Sequence, residues 1–279
     1  MIFDCHTHLV NPSCLGGEFI SDAKRAWGED YEMDCSPEQH ARQMSECDGA
    51  IVLAMDAEEI GFFAPNSFVA EYVARDPSRL IGFASVNPNR ENPEKILEHA
   101  YRELGLKGLK LAPIYQFFDP RDQKCFPLYA KAMELGMPVM WHQGTSYVQS
   151  GPLEFCNPVF IDTIARSFPN LTMIIAHLGH PWTSETACVV RKQRRVFTDV
   201  SALGTRPWQL YNALICALEY GIADKLLFGT DFPFFTCNQT IDVLRRVNVI
   251  VEGTNLPRVP EQVIEAIIHR DTPGILGLV

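Results

Sequence analysis

Five of the eight histidines stand where short apolar runs of the sequence end. They are His6, His8, His142, His177 and His180. Asp231 follows another such run, in the segment Gly229-Thr230-Asp231. Neutral imidazoles and a carboxylate form a borderline-soft nitrogen and oxygen donor set, which suits Zn²⁺ and accepts Mn²⁺ or Fe²⁺. If the fold brings these side chains together, they predict a metal centre that activates water.

The elements that would position them are short β-rich runs that alternate with longer amphipathic stretches. This alternation favours an α/β fold with a parallel sheet. Eight strands are predicted, over Ile2 to Cys5, Ala50 to Ala54, Leu80 to Val86, Gly108 to Leu111, Pro138 to Trp141, Thr172 to Ala176, Val196 to Val200 and Leu226 to Phe228. Eight strands alternating with helices in 279 residues favour a (β/α)8 TIM barrel over a doubly wound sheet.

No linker, low-complexity tract or repeat divides the chain, so residues 1–279 are predicted to form a single domain. Helix starts are predicted at Ser36-Pro37, Asn92-Pro93 and Asn157-Pro158, where a capping side chain precedes a proline. A long insertion, residues 9 to 36, follows the first strand. Its place above a carboxyl strand end makes it either a lid over the site or an ordered surface excursion.

The predicted barrel places the candidate ligands at one end. Strand 8 would pair with strand 1, so Asp231 would lie beside His6 and His8, and His142 would approach from across the mouth. Because side chains alternate along a strand, His6 and His8 would point into the barrel with Asp4, while Cys5 and Thr7 would face the helices. The other histidines, His40, His99 and His269, fall on predicted helices and are interpreted as surface or helix-packing residues.

Together, these motifs resemble the amidohydrolase superfamily over nearly the whole chain. The segments that carry the resemblance are His6-x-His8, His142, Ala176-His177-Leu178-Gly179-His180 and Gly229-Thr230-Asp231-Phe232-Pro233. The narrower resemblance is to the amidohydrolase-related branch, which includes aminocarboxymuconate semialdehyde decarboxylases, resorcylate-type decarboxylases and dicarboxylate lactonases. It implies one divalent metal held by His6, His8, His142 and Asp231, with His177 close by. Zn²⁺ is the first choice, and Mn²⁺ or Fe²⁺ the alternatives.

Lys110 has more than one interpretation. Fuller hydrolases of the superfamily bridge two metals with a carboxylated lysine on strand 4, and Lys110 ends that strand. The branch that the chain resembles generally lacks the bridge, which favours one metal. Lys110 then either contacts a substrate carboxylate or has a structural role.

The chemistry expected is attack by metal-activated water on a carbonyl group. Asp231 would accept and return the water proton, and His177 would stabilise oxyanion charge or shuttle protons. We predict a hydrolase of a small ester, lactone or amide; the alternative is a nonoxidative decarboxylase of an aromatic or unsaturated carboxylic acid. A non-catalytic binding barrel and a nuclease are less favoured interpretations.

Four residues are predicted to contact the substrate: Lys110, Arg25, His180 and Trp182. Lys110 and Arg25 are cations on the mouth side of the barrel, and Lys24 and Arg206 are further candidates there. Each of these cations could also be an ordinary solvated charge. His180 and Trp182 follow strand 6 and could supply a polar contact and an aromatic wall, although a packed loop is equally consistent with the segment.

The composition excludes several partner classes. With 24 Lys and Arg against 34 Asp and Glu, the net charge of -10 disfavours nucleic acid. No stretch approaches the ~18 consecutive apolar residues of a membrane span. Nine scattered cysteines without a C-x-x-C pair indicate buried thiols in a reducing compartment. A cytoplasmic protein with a small-molecule substrate is expected, and the resemblance is compatible with a homodimer.

Overall fold

Eight parallel strands form a nearly closed barrel in the computed structural model, which describes residues 1–278, the side chain of Pro12 excepted. The barrel strands are β1 (Phe3–His8), β2 (Gly49–Leu53), β5 (Leu80–Ser85), β6 (Gly108–Leu111), β7 (Val139–Trp141), β8 (Met173–Ile175), β9 (Val196–Asp199) and β10 (Leu226–Leu227). They are hydrogen-bonded in that order. The predicted (β/α)8 TIM barrel is therefore confirmed, and every predicted strand is present. The largest difference is at the end of β1, which continues to His8.

Hydrogen bonds after the short strand β10 close the barrel against β1. Cys5 N–H donates to Phe228 O at 2.9 Å, and His8 N–H donates to Phe232 O at 2.9 Å. In the other direction, Asp231 N–H donates to His6 O at 2.8 Å. The segment that carries Asp231 thus pairs with the strand that carries the two histidines.

Helices alternate with the strands, and most of them cover the outside of the barrel with their apolar faces packed on it. They are α1 (Gly17–Trp27), α2 (Pro37–Gln43), α3 (Asn66–Val73), α4 (Pro93–Arg102), α5 (Phe126–Glu134), α6 (Val159–Ser167), α7 (Thr183–Lys192), α8 (Pro207–Glu219), α9 (Cys237–Arg245), α10 (Glu261–Ile268) and α11 (Thr272–Leu276). Of the predicted caps, Ser36 accepts a hydrogen bond from Gln39 N and Asn157 accepts one from Val159 N. Asn92 occupies the cap position of α4 without a side-chain cap bond.

Strand β1 contains a bulge that changes the direction of its side chains. Asp4 pairs with Ala50 and Thr7 with Val52, so three steps along β1 match two along β2. The prediction that Cys5 faces the helices is wrong. Cys5 packs in the barrel interior with Phe3, two residues before it, in a cluster that includes Phe83, Met140 and Ile174. The register shift lies between Asp4 and Thr7, so Cys5 keeps the alternation set by Phe3 and the shift affects the residues that follow it.

The insertion after β1 packs on the barrel mouth rather than extending into solvent. It contains α1, which the sequence analysis did not assign, and it contacts an unpredicted hairpin, β3 (Met55–Ala57) with β4 (Phe62–Ala64). Two acidic side chains of α1 bind the loop after β7: Glu18 accepts from Ser150 N at 2.8 Å, and Asp22 accepts from Gln149 N at 2.6 Å. Whether the insertion opens as a lid stays a prediction.

Three further features bear on the predictions. No helix in residues 1–278 is long and apolar enough to cross a bilayer, and the cytoplasmic location and the homodimer stay predictions. His99 and His269 are on helix surfaces or ends, as expected. His40, on α2, is fully buried and is a packing residue, which the same expectation allows. Its Nδ1 lies 2.8 Å from Tyr72 Oη and its Nε2 lies 2.9 Å from Thr7 Oγ1.

Candidate active site

Two histidines and one carboxylate meet at the carboxyl end of the barrel. Asp231 Oδ1 lies 3.3 Å from His6 Nε2 and 3.4 Å from His8 Nε2. One ligand atom from each of the three residues lies within 4.8 Å of the others, and all three side chains are buried. This geometry forms a possible metal site.

Asp4 holds the Asp231 segment in place from below. Its carboxylate accepts from His6 N at 3.0 Å, from Thr230 N at 3.0 Å and from Thr230 Oγ1 at 2.7 Å. Between the two strands stands Gly229, where a Cβ would lie only 3.1 Å from His6 Cβ. Glycine at this position allows the close approach of the two backbones. Burial raises the pKa of Asp4 to about 7.

Asp199, at the end of β9, orients two imidazoles. His6 Nδ1 lies 3.0 Å from Asp199 Oδ2 and donates to it, which leaves the His6 Nε2 lone pair facing Asp231. The other oxygen accepts from His177 N at 3.0 Å and from the Ser201 hydroxyl. Because that hydroxyl donates to Asp199, it accepts from His177 Nδ1 at 2.7 Å, so His177 Nε2 is the ring atom left without a proton.

Lys110, at the end of β6, lies beneath these histidines. Its Nζ is 3.0 Å from His6 Nε2 and donates to it, and the residue is only 1% exposed. Burial lowers the pKa of Lys110 to about 8. An ammonium in this position would compete with a metal ion for the His6 lone pair.

His142, which follows β7, approaches from the opposite wall. Its ring centroid is 5.2 Å from that of His177 and 4.9 Å from that of Tyr115. His142 lies outside the group of three whose ligand atoms are within 4.8 Å. Its Nε2 is nevertheless buried and finds no hydrogen-bond partner in residues 1–278. A buried imidazole nitrogen without a partner fits a fourth ligand to a cation at this mouth.

Strained backbone marks the same place. His177, Leu178 and Asp231 have φ values of 58°, 53° and 63°, a region that side chains with a Cβ rarely adopt. Such strain persists only where the surrounding contacts enforce it, and it concentrates at functional sites. Here the hydrogen bonds to His6 O and Asp199 enforce it.

The charges of the site follow from its burial. Desolvation lowers the pKa of His6 and His142 well below the ordinary value, so both imidazoles are neutral and able to bind a metal. Burial alone would raise the pKa of Asp231, but the imidazoles of His177, His6 and His8 outweigh burial and lower it. Asp231 is therefore an ionised carboxylate at neutral pH.

A cavity of about 720 Å³ opens above these residues. His142, His177, His180 and Asp231 line it, and so does the insertion through Trp27 and Tyr31. Five further aromatic side chains contribute to its walls, Tyr115, Tyr147, Phe232, Phe234 and Phe235. The volume and the apolar walls suit a small planar organic molecule.

The predicted substrate contacts divide into two groups. His180 lines the cavity, and its Nδ1 is buried without a partner in residues 1–278. The other three lie outside the lining. Arg25 binds Asp22 and the carbonyl of Tyr147, and Lys110 lies under His6. Trp182 precedes α7 and packs on the core of the protein.

Two residues of the site were not identified by the sequence analysis. Asp199 ends a barrel strand, as the metal-ligand candidates do, and that position was the signal for it. Tyr147 lies in the loop 145–151, and no pattern in that segment distinguishes it from other loop tyrosines. Its hydroxyl is buried and has no partner in the part of the chain that the structure describes.

Comparisons with known proteins agree with this site and fold. A family model described as Amidohydrolase matches residues 3–270. The chain belongs to the amidohydrolase family. Among curated proteins, no sequence matches the chain.

Solved structures of similar fold include both hydrolases and decarboxylases. An uncharacterized TIM-barrel protein from Bordetella bronchiseptica is 19% identical, with a TM-score of 0.77 over 99% of this chain and 98% of that one. A probable 2-pyrone-4,6-dicarboxylic acid hydrolase from Acinetobacter baumannii, with citric acid bound, is 15% identical, with a TM-score of 0.69 over 99% of both chains. A dihydroxybenzoic acid decarboxylase from Polaromonas sp. JS666, with manganese and 2-nitroresorcinol bound, is 17% identical, with a TM-score of 0.65 over 99% and 97%. The protein is thus an amidohydrolase-family enzyme, and both activities occur among proteins of its fold.

Proposed function

We propose that the protein is a metal-dependent hydrolase of a small ester, lactone or amide. The observation that carries this proposal is the position of Asp231. Its ionised carboxylate lies against the Nε2 atoms of His6 and His8 and also lines the cavity. A carboxylate so placed can accept a proton from water at the point where a cation would be held.

The metal would be held by His6, His8, Asp231 and His142. When bound, a divalent ion such as Zn²⁺ lowers the pKa of a water molecule and polarises a carbonyl. The donor set fits such an ion, because the three nitrogens are buried and neutral and His142 Nε2 lacks another partner in the described residues. Zn²⁺ is preferred on donor chemistry, and Mn²⁺ is bound by the related decarboxylase from Polaromonas.

The protein groups would divide the proton transfers between them. Asp231 accepts the proton of the attacking water and returns it to the leaving oxygen or nitrogen, so the carboxylate is ionised again after each turnover. His177 Nε2 faces the cavity as an acceptor, because its Nδ1 donates to Ser201. It can orient the water or accept a hydrogen bond from a polar group of the substrate.

A nonoxidative decarboxylase is the second candidate, favoured by the aromatic walls of the cavity. Seven aromatic side chains line it, Trp27, Tyr31, Tyr115, Tyr147, Phe232, Phe234 and Phe235. They would hold the ring of an aromatic acid by stacking. In that reaction the carboxylate carbon leaves as carbon dioxide and a proton replaces it on the ring carbon.

One experiment separates the two reactions. Panels of esters, lactones, amides and aromatic acids are incubated with metal-loaded enzyme in H₂¹⁸O, and the products are analysed by mass spectrometry. Hydrolysis places ¹⁸O in the product carboxylate, whereas decarboxylation releases carbon dioxide and leaves a product smaller by that mass. Asp231→Asn is the control, and we expect it to lose either activity while keeping the fold. Turnover at the wild-type rate in that variant would contradict the role given to Asp231.

A further inference from the structure

The cavity is lined by very few positively charged side chains. Among the residues that line it, all within residues 1–278, Arg206 is the only arginine or lysine. Two carboxylates of the insertion, Glu32 and Asp34, stand exposed at the rim. A hydrogen bond to Ser36 lowers the pKa of Asp34, so this rim residue is charged at neutral pH.

Most N–H groups of the Arg206 guanidinium have no hydrogen-bond partner in the described residues. Arg206 is half-buried at the start of α8, and its guanidinium has one hydrogen bond in the described residues, at 3.3 Å to Ala202 O. It lines the cavity together with His177 and His180. A guanidinium with free N–H groups beside a cavity suits a planar carboxylate, which it can bind through two parallel hydrogen bonds.

Tyr147 supplies a second, neutral donor. Its ring packs between Phe19 and Trp27, with centroid distances of 5.3 Å and 4.6 Å, and its carbonyl is fixed by Arg25. The hydroxyl is buried and lacks a partner in the described residues, although the residue lines the cavity. A buried hydroxyl without a hydrogen-bond partner destabilises the protein, and donation to a ligand would remove that cost.

We propose that the cavity selects a planar substrate with a single negative charge. Arg206 binds that charge, and Tyr147 donates a hydrogen bond to a neighbouring oxygen of the substrate. Glu32 and Asp34 disfavour a second negative charge at the rim. The inference rests on the proposed function only in taking this cavity as the substrate site. Such a cavity would bind monocarboxylates in preference to dicarboxylates. Repulsion from these two exposed carboxylates should weaken the binding of a second charge by about fivefold.

The test is binding of three probes of one shape, measured by isothermal titration calorimetry on enzyme of fixed metal content. The probes are benzoate with one charge, benzamide with none and isophthalate with two. We expect wild-type enzyme to bind benzoate about tenfold tighter than benzamide and about fivefold tighter than isophthalate. If none of the probes binds, or if isophthalate binds as tightly as benzoate, the proposal is overturned.

Variants assign the selectivity to residues. Arg206→Gln should remove the preference for benzoate over benzamide, and Arg206→Lys should keep most of it. The double variant of Glu32→Gln and Asp34→Asn should bring isophthalate to about the affinity of benzoate. Tyr147→Phe should weaken the binding affinity for benzoate by roughly three- to tenfold.

Matched controls lie outside the cavity. Arg258→Gln and Glu29→Gln remove exposed charges that do not line it, and both should leave all three affinities unchanged. If Arg206→Gln keeps the wild-type ratio of benzoate to benzamide while Arg206→Lys folds normally, Arg206 is not the anion site and the proposal fails. Because binding is measured without turnover, correct charge selection together with no hydrolysis would reject the proposed function alone.

Discussion

Replacing Asp199 with asparagine tests the prediction that this carboxylate prepares His6 to bind a metal. In the wild-type protein, His6 Nδ1 donates to Asp199 Oδ2 at 3.0 Å, which leaves Nε2 without a proton. An asparagine whose amide nitrogen takes the place of that oxygen donates to Nδ1 instead. It therefore favours the tautomer with the proton on Nε2, the atom proposed to bind the metal.

The alternative orientation of the amide is also costly. If the introduced side chain turned its oxygen toward His6, its amide hydrogens would face the N–H groups of His177 and Ser201, which donate to Asp199 at 3.0 Å and 3.1 Å. Buried donors left without acceptors cost about 1–3 kcal/mol. We therefore expect metal affinity to fall by about 10- to 100-fold, equivalent to about 1.4–2.8 kcal/mol.

The assay is competition for Zn²⁺ and for Mn²⁺ with a chromophoric chelator, combined with circular dichroism to confirm the fold. Ser201→Ala is the matched control. It removes the hydroxyl between Asp199 and His177 but leaves the bond from His6, so metal affinity should stay within about threefold of wild type. Wild-type affinity in a folded Asp199→Asn variant would refute the role given to Asp199.

Three further perturbations have defined outcomes. Burial lowers the pKa of His40 to about 3, so between about pH 6.5 and pH 3 only the unfolded chain gains a proton at this histidine. Between pH 7.5 and pH 5, the free energy of unfolding should therefore fall by about 2 kcal/mol more in wild type than in His40→Gln, as measured by urea titration. The control variant His99→Gln should behave as wild type. An equal loss in His40→Gln would contradict this. Glu18→Gln weakens the contact of the insertion with Ser150, so KM should rise severalfold with little change in kcat, and an unchanged KM would argue against a covering role. Lys110→Met removes a cation 3.0 Å from a ligand nitrogen, so metal affinity should rise while stoichiometry stays at one, whereas loss of a second metal would make Lys110 a bridging ligand.

The sequence predicted the barrel well because its signals are local. Each strand is a short apolar run between helical stretches, and the strand count selects the architecture. The bulge in β1 was not predicted, because an extra residue shifts the side-chain alternation along a strand without changing residue types. The hairpin β3–β4 was missed for a similar reason, since three-residue strands carry too little pattern to be distinguished from a loop.

For the site, the sequence predicted which residues reach the mouth but not how they interact. His6, His8 and Asp231 converge because the segment after β10 pairs with β1, which follows from closure of the barrel. The contacts of Lys110 with His6, and of Asp199 with the same ring, depend on side-chain directions inside the barrel. These contacts join residues that are 104 and 193 positions apart, so no local spacing reveals them.

The central claim is that His6, His8, His142 and Asp231 hold one divalent metal. The most direct test is metal analysis by inductively coupled plasma mass spectrometry on protein purified without added metal and on protein reconstituted with Zn²⁺ or Mn²⁺. Wild type should contain about one equivalent per chain, and folded His142→Ala and Asp231→Asn variants should contain much less. No bound metal in wild type after reconstitution, or one full equivalent in Asp231→Asn, would contradict the account.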